Sequence, residues 1–214
     1  MASVLLTGFE PFGGASVNPS WTAVSLAAAE PPAGVRVEAV LLPCVFGDSI
    51  AALRAAVRRT EPDLVLCVGQ AGGRPGITLE RIAVNLDDAS IPDNAGNQPI
   101  DTPVVPGGPA AYFGALPLKA CVAAVREAGL PASVSQTAGT FVCNHVFYGL
   151  MHLIATELPD LRGGFVHIPF DPAQVTDQSK PSLPAHCSAE ALRVIVTTAL
   201  TRTGDARISG GAVC

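Results

Sequence analysis

Three residues in this chain are of types and in positions suited to nucleophilic catalysis. Of the six cysteines, at 44, 67, 121, 143, 187 and 214, Cys143 alone follows a Gly-Thr turn and enters the first turn of an expected helix. Unpaired N–H groups and the helix dipole there favour thiolate over thiol and can hold an oxyanion. Cys44 and Cys67 lie in or beside apolar strands, where a thiol is usually an inert small hydrophobe. Cys121 falls inside an amphipathic helix, and Cys187 and Cys214 in polar or terminal segments.

A cysteine nucleophile needs a base, and the chain has four histidines. His145 and His152 follow Cys143 on one helix, and His186 lies in a Pro-rich connection. His167 stands between Val166 and Ile168 on a buried strand ending at Pro169, which brings it to the same rim as Cys143. A carboxylate should fix its tautomer, and Glu80, set among Ile77, Leu79, Ile82 and Val84, is the conspicuous candidate. An acid inside an apolar run needs a partner to offset its burial. The competing readings are an inert buried thiol, a satisfied core histidine and an acid exposed on a surface hairpin.

The elements that must carry these residues alternate in type. Strands are expected at Val4–Leu6, Val37–Leu42, Leu64–Val68 and Phe165–Ile168, as apolar runs without polar alternation, with a short strand at Ser133–Ser135. Helices are expected at Pro19–Ala29, Ser49–Arg59, Leu116–Ala128, Cys143–Leu158 and Ala189–Arg202. Asp48 or Ser49 is the expected cap of the second helix. Between Gln70 and Pro109 the pattern lapses into Gly, Pro and Asn, which predicts a hairpin plus a functional loop. The βαβαβ order argues for an α/β layered fold with a largely parallel sheet, residues 1–214 forming one domain. Such sheets bind ligands at their carboxyl ends, where Gly8–Gly14, Gly69–Gly73, Gly139–His145 and Phe165–Pro169 would gather.

Composition narrows the function classes. Of 214 residues 49% are apolar and only 14% charged, against the usual quarter or so, which argues against disorder and coiled coils. The net charge is −5 and only two of the 13 cationic side chains are lysines, Lys119 and Lys180, so no basic stripe for nucleic acid forms. The N-terminus has no positively charged region ahead of an apolar one, and no apolar run approaches a membrane span of roughly 20 residues. Without a secretory signature, unpatterned cysteines read as thiols in a reducing cytoplasm. No CxxC or closely spaced histidine pair supports a zinc site.

Taken together, GFEPFGG at 8–14 with Asn18-Pro19-Ser20, VGQAGGRPGITLERIAVN at 68–85, IPDNAGNQP at 91–99, TAGTFVCNHVFYGLMH at 137–152 and GFVHIPF at 164–170 resemble the pyroglutamyl peptidase I (pyrrolidone-carboxylate peptidase) family of cysteine peptidases. The resemblance spans nearly the whole chain in order. It implies a three-layer α/β/α fold with a mixed, largely parallel sheet, and a catalytic set of Glu80, Cys143 and His167. It further implies hydrolysis after an N-terminal pyroglutamyl residue through a thioester on Cys143, no metal or organic cofactor, and a cytosolic homo-oligomer, often a tetramer. The lactam pocket it implies comprises Phe9, Phe12, Ile91, Phe141 and Val142 as apolar walls and Gln70 as a hydrogen-bonding group. Apolar walls would exclude a charged N-terminal amine lacking a counter-ion, although Glu10 lies nearby.

One position departs from the family pattern. Asp88-Ala89-Ser90-Ile91-Pro92-Asp93-Asn94 carries serine where the family commonly has an arginine that assists the oxyanion site. Loss of one oxyanion donor typically lowers turnover by about 10²–10³-fold, unless Arg81 or another arginine compensates. Gln136, where the family often has asparagine, is assigned no effect. Two other readings stay open: a catalytically silent lactam-binding protein, and a nucleoside-phosphorylase-like enzyme, the latter weakened by the absence of GxxxxGK[ST] and GxGxxG spacings. The segment Tyr112–Leu118 is a candidate subunit contact if its exposed part is as apolar as it reads.

Overall fold

The central sheet is built from runs apolar enough to be covered on both faces. The computed structural model describes residues 1–175 and 180–211; Cys214 lies outside them. Six strands run in the spatial order β2 (Val35–Leu42), β1 (Ala2–Phe9), β3 (Leu64–Gln70), β8 (Arg162–Ile168), β4 (Ile77–Glu80), β7 (Ala132–Ser135). The first four are mutually parallel; β4 meets β8 antiparallel and pairs parallel with β7. The chain is thus an α/β protein with a mixed, mostly parallel sheet.

Strand alternation divides the interior into two cores. Val4, Leu6, Leu64, Leu66, Val68, Ile77, Leu79, Val166 and Ile168 point to one face, beneath α1 (Pro19–Ala29), α3 (Leu118–Glu127) and α5 (Ala185–Thr201). Leu5, Phe9, Val65, Cys67 and Phe165 point to the other, beneath α2 (Asp48–Thr60) and α4 (Val142–Thr156). Gly149 lets α2 and α4 close on each other, since a Cβ there would lie 2.6 Å from Ile50. Helix starts follow local chemistry in part. Asn18 caps α1 by accepting from the Ser20 N–H, with Pro19 in its first turn. For α2 neither expected cap serves: Gly47 is the cap at φ 79°, and Asp48 instead places its charge in the first turn.

Two features of the irregular middle stretch differ from the sequence reading. Ile77–Glu80 and Ile82–Val84 do not fold on each other as a hairpin. The first joins the main sheet as β4, while the second, β5, pairs antiparallel with β6 (Ala111–Phe113), a three-residue strand with no signature in the pattern. Tertiary pairing over a span of loop thus overrides local periodicity. In addition α5 begins at Ala185, so His186 is helical rather than in a connection. Within Tyr112–Leu118 only Phe113 and Ala115 are exposed, and Leu116, Pro117 and Leu118 are buried.

Candidate active site

Glu80, Cys143 and His167 meet on the α2/α4 face of the sheet. His167, on β8, is paired in register with Gly69 of β3 on one side and Thr78 of β4 on the other. Glu80 follows Thr78 by two residues and so points to the same face. It is wholly buried, and its Oε1 accepts from His167 Nδ1 at 2.7 Å. The surface-hairpin reading of Glu80 is therefore corrected: β4 is an interior strand. With Nδ1–H directed at the carboxylate, Nε2 of His167 is the ring nitrogen left to face a thiol. Arg74, from the β3–β4 loop, donates to the same Glu80 oxygen.

Cys143 reaches this pair from above. The turn before it uses Gly139 at φ +78°, a conformation that favours glycine, and Thr140 Oγ1 anchors the loop to Asp88 O at 2.7 Å. Phe141 is the N-cap of α4 and no side chain caps the helix, so the N–H groups of its first turn keep no side-chain acceptor. Cys143 Sγ rests over Gly69, where a Cβ would lie only 2.8 Å away. As Gly69 is the register partner of His167, the thiol stands beside the imidazole.

Burial pushes the Cys143 thiol above its ordinary range, with Cys44 and Glu80 adding to the rise and Arg74 opposing it. Burial also lowers His167 below the usual imidazole value, against the pull of Glu80. The resting pair is accordingly thiol and neutral imidazole. Desolvation thus opposes the preference for thiolate that the helix terminus confers. Cys44, Cys67 and Cys121 are likewise pushed up, each to about 12 and chiefly by burial, so what sets Cys143 apart is its place beside the acid–imidazole pair and not its acidity.

The aromatic loops form a wall beside the thiol. Phe12 and Phe141 lie with ring centroids 6.0 Å apart, and Ile91, 40% exposed, approaches Gly13. Asn94 Nδ2 donates to Pro11 O at 2.9 Å, tying the Ile91 segment to the first loop. Phe9 and Val142 are fully buried, Phe9 against Phe165 with centroids 6.3 Å apart. Gln70 ends β3, its Oε1 accepting from Gln174 Nε2 at 3.1 Å. Glu10 is half-buried at the end of β1. Ser90 is exposed, and Arg81 cannot replace the missing arginine: it donates to Gly210 O at 3.1 Å, away from Glu80 by strand alternation.

Four participants escaped the sequence reading. Phe46 packs edge-on against Phe141 at 5.3 Å, extending the aromatic wall. It lies in the loop after β2, another carboxyl-end position, which was the available signal. His145 forms a second acid–imidazole pair, with Nδ1 donating to Asp87 Oδ2 at 2.7 Å and Nε2 accepting from the Gly47 N–H at 2.9 Å. Asn144 clips β5 to α4 by bonding both the N–H and the C=O of Val84. Arg74 was visible only as the charge in a glycine-rich loop. Among the described residues no cluster of three or more potential metal ligands occurs, and no helix is long and apolar enough to cross a membrane.

A thiol at a helix start beside a buried acid–imidazole pair, on the carboxyl rim of an α/β sheet, defines the class of cysteine-type hydrolases. The comparisons narrow this class. Residues 2–202 match the family model described as pyroglutamyl peptidase. The pyrrolidone-carboxylate peptidase of Streptomyces coelicolor is 64% identical over 214 residues, covering 99% of each chain. That of Escherichia fergusonii is 55% identical, again over 99% of each. The crystal structure of pyroglutamyl peptidase I from Bacillus amyloliquefaciens superposes with a TM-score of 0.95 at 48% identity, covering 97% of this chain and 99% of that one. A mutant pyrrolidone carboxyl peptidase from Pyrococcus furiosus gives 0.89 at 39% identity, covering 92% and 98%. This chain belongs to the pyroglutamyl peptidase family. Membership leaves the nucleoside-phosphorylase reading without support.

Proposed function

We propose that the protein hydrolyses the bond after an N-terminal pyroglutamyl residue of peptides and proteins, with Cys143 as nucleophile, His167 as base and Glu80 as the group that orients it. The observation that carries this reading is the Glu80–His167 hydrogen bond beside Cys143 in a member of this family. His167 Nε2 takes the thiol proton as sulfur attacks the pyroglutamyl carbonyl. The oxyanion forms near the leading N–H groups of α4, which cost no reorganisation during the reaction. Collapse breaks the C–N bond, the departing amine takes the proton from His167, and a thioester remains. Water, deprotonated by His167, then releases 5-oxoproline and restores the thiol.

The lactam is uncharged, and the residues proposed to hold it are Phe9, Phe12, Ile91, Phe141, Val142 and Gln70. Aromatic and aliphatic walls accept its ring, while an ammonium terminus would lose its hydration without adequate compensation. The residues form one domain that needs no metal or organic cofactor and acts in the cytoplasm as a homo-oligomer, a tetramer by family resemblance. Exposed Phe113 on the β5–β6 hairpin supports a subunit contact there. Light scattering over a wide concentration range tests it, a persistent monomer being the contrary result.

Release of a fluorophore from a pyroglutamyl amide tests the activity, with Cys143→Ala as control. Thiol-dependent release is expected in the native chain and its loss in the variant. Binding of the amide without release would instead indicate a silent lactam-binding protein.

A further inference from the structure

Arg74 is the charged group that touches both halves of the site. Its Nη1 donates to Glu80 Oε1 and, at 2.6 Å, to Thr78 Oγ1. Its Nη2 donates to Thr137 O at 3.1 Å. Thr137 opens the turn that leads to Cys143, and its Oγ1 accepts from the Gly139 N–H at 3.1 Å. One planar guanidinium therefore spans the β3–β4 loop, β4 and the loop before α4. We infer that Arg74 is a positioning residue for the reaction: it holds the Glu80 carboxylate against His167 and ties that pair to the segment delivering Cys143. The inference rests on the Glu80–Cys143–His167 reading above.

A second consequence is electrostatic. The charged groups acting on His167 are Glu80 from β4 and Arg74 from the β3–β4 loop, and the Cys143 thiol of α4 rests over its register partner Gly69. Gly69, Thr78 and Phe165, which also adjoin it, carry no charge. Glu80 alone would stabilise imidazolium. Burial is the chief cause that keeps His167 neutral, and Arg74, sharing the same carboxylate oxygen, acts in the same direction by offsetting the pull of Glu80. A planar fork suits this geometry, since a lysine could satisfy the charge but its compact ammonium does not span from the two acceptors on β4 to Thr137 O before α4.

The test uses the whole protein with Arg74→Met and Arg74→Lys, assayed on a pyroglutamyl amide across pH. In Arg74→Met, kcat should fall about tenfold or more, with KM within about threefold. Its acid limb of kcat/KM should move up. Arg74→Lys should keep the limb in place while kcat still falls, because the bond to Thr137 is lost. NMR titration of the His167 ring in a Cys143→Ala background should show the same upward shift with Arg74→Met. An unmoved limb or ring titration in Arg74→Met overturns the inference, whatever happens to kcat; Arg74→Gln carries the same readout should Arg74→Met fail to fold. Absence of thiol-dependent turnover in the native protein would sink the peptidase reading instead, and the ring titration would still decide the role of Arg74.

Discussion

Gly69 lies directly beneath Cys143, so close that a methyl group at residue 69 would sit 2.8 Å from Sγ and 2.9 Å from the Phe165 ring. Phe165 is fully buried and cannot yield, so the strain falls on the partly exposed Cys143 side chain. Gly69→Ala should therefore displace the thiol from His167. We expect kcat to fall by about 10²-fold, as for a displacement of about 1 Å at a reacting group. Stability should drop by about 1–3 kcal/mol from overpacking. Steady-state kinetics and urea unfolding check both, and near-native kcat would show that the thiol has slack.

The pH dependence follows from the directions of two shifts. His167 must be neutral to accept a proton, and burial lowers it below the ordinary imidazole value of 6.5. The acid limb of kcat/KM should thus fall below pH 6.5, activity being lost as pH drops through the lowered value. Burial raises Cys143 above the ordinary thiol value of 9.0, so no rise in rate is expected where an ordinary thiol ionises. An acid limb above the ordinary imidazole value would contradict the neutral thiol–imidazole pair.

The second acid–imidazole pair braces the loop that carries Phe46. His145 joins Asp87 to the Gly47 N–H, while Phe46 stands edge-on to the His145 ring at 5.3 Å. Asp93 secures the same loop by accepting the Phe46 N–H at 2.9 Å. Burial works to raise Asp93, but hydrogen bonds from Asn97, Phe46 and Ala95 hold it below the usual carboxylate range. Phe46→Ala should raise KM for a pyroglutamyl amide several-fold with a smaller change in kcat. His145→Leu should do the same and cost about 2–5 kcal/mol, because it leaves a buried carboxylate and a backbone N–H without their partner. Kinetics and denaturation would separate the two effects.

Ser90 tests the missing donor. Arg81, engaged with Gly210, does not stand in at that position. Ser90→Arg should raise kcat about tenfold or more if a charged donor can reach the oxyanion. An unchanged or lower kcat would mean that the leading N–H groups of α4 suffice.

How much was legible in the sequence depends on the range of the interaction responsible. Strand and helix identity came from local pattern: Pro19–Ala29 declares itself by its Asn-Pro start and good helix formers, and Leu64–Val68 by an unbroken apolar run buried on both faces. Cys143 was marked by its turn, and His167 by its strand end. Glu80 was visible as an acid in an apolar run, but not as a member of the main sheet. Its partner His167 is 87 residues away, and β5 finds β6 only after a long loop. Pairing at such distances depends on chain closure and on which edge is open, neither of which leaves a periodic trace.

The six cysteines show the same division. The sequence by itself singled out Cys143, because a glycine turn and a helix start are written in consecutive residues. Only the tertiary structure decided that its thiol rests protonated, that Arg74 grips Glu80, and that His145 and Phe46 brace the aromatic wall. Those outcomes depend on desolvation and on contacts between segments as far apart as Gly47 and His145, 98 residues along the chain. Burial and charge proximity are properties of the packed molecule.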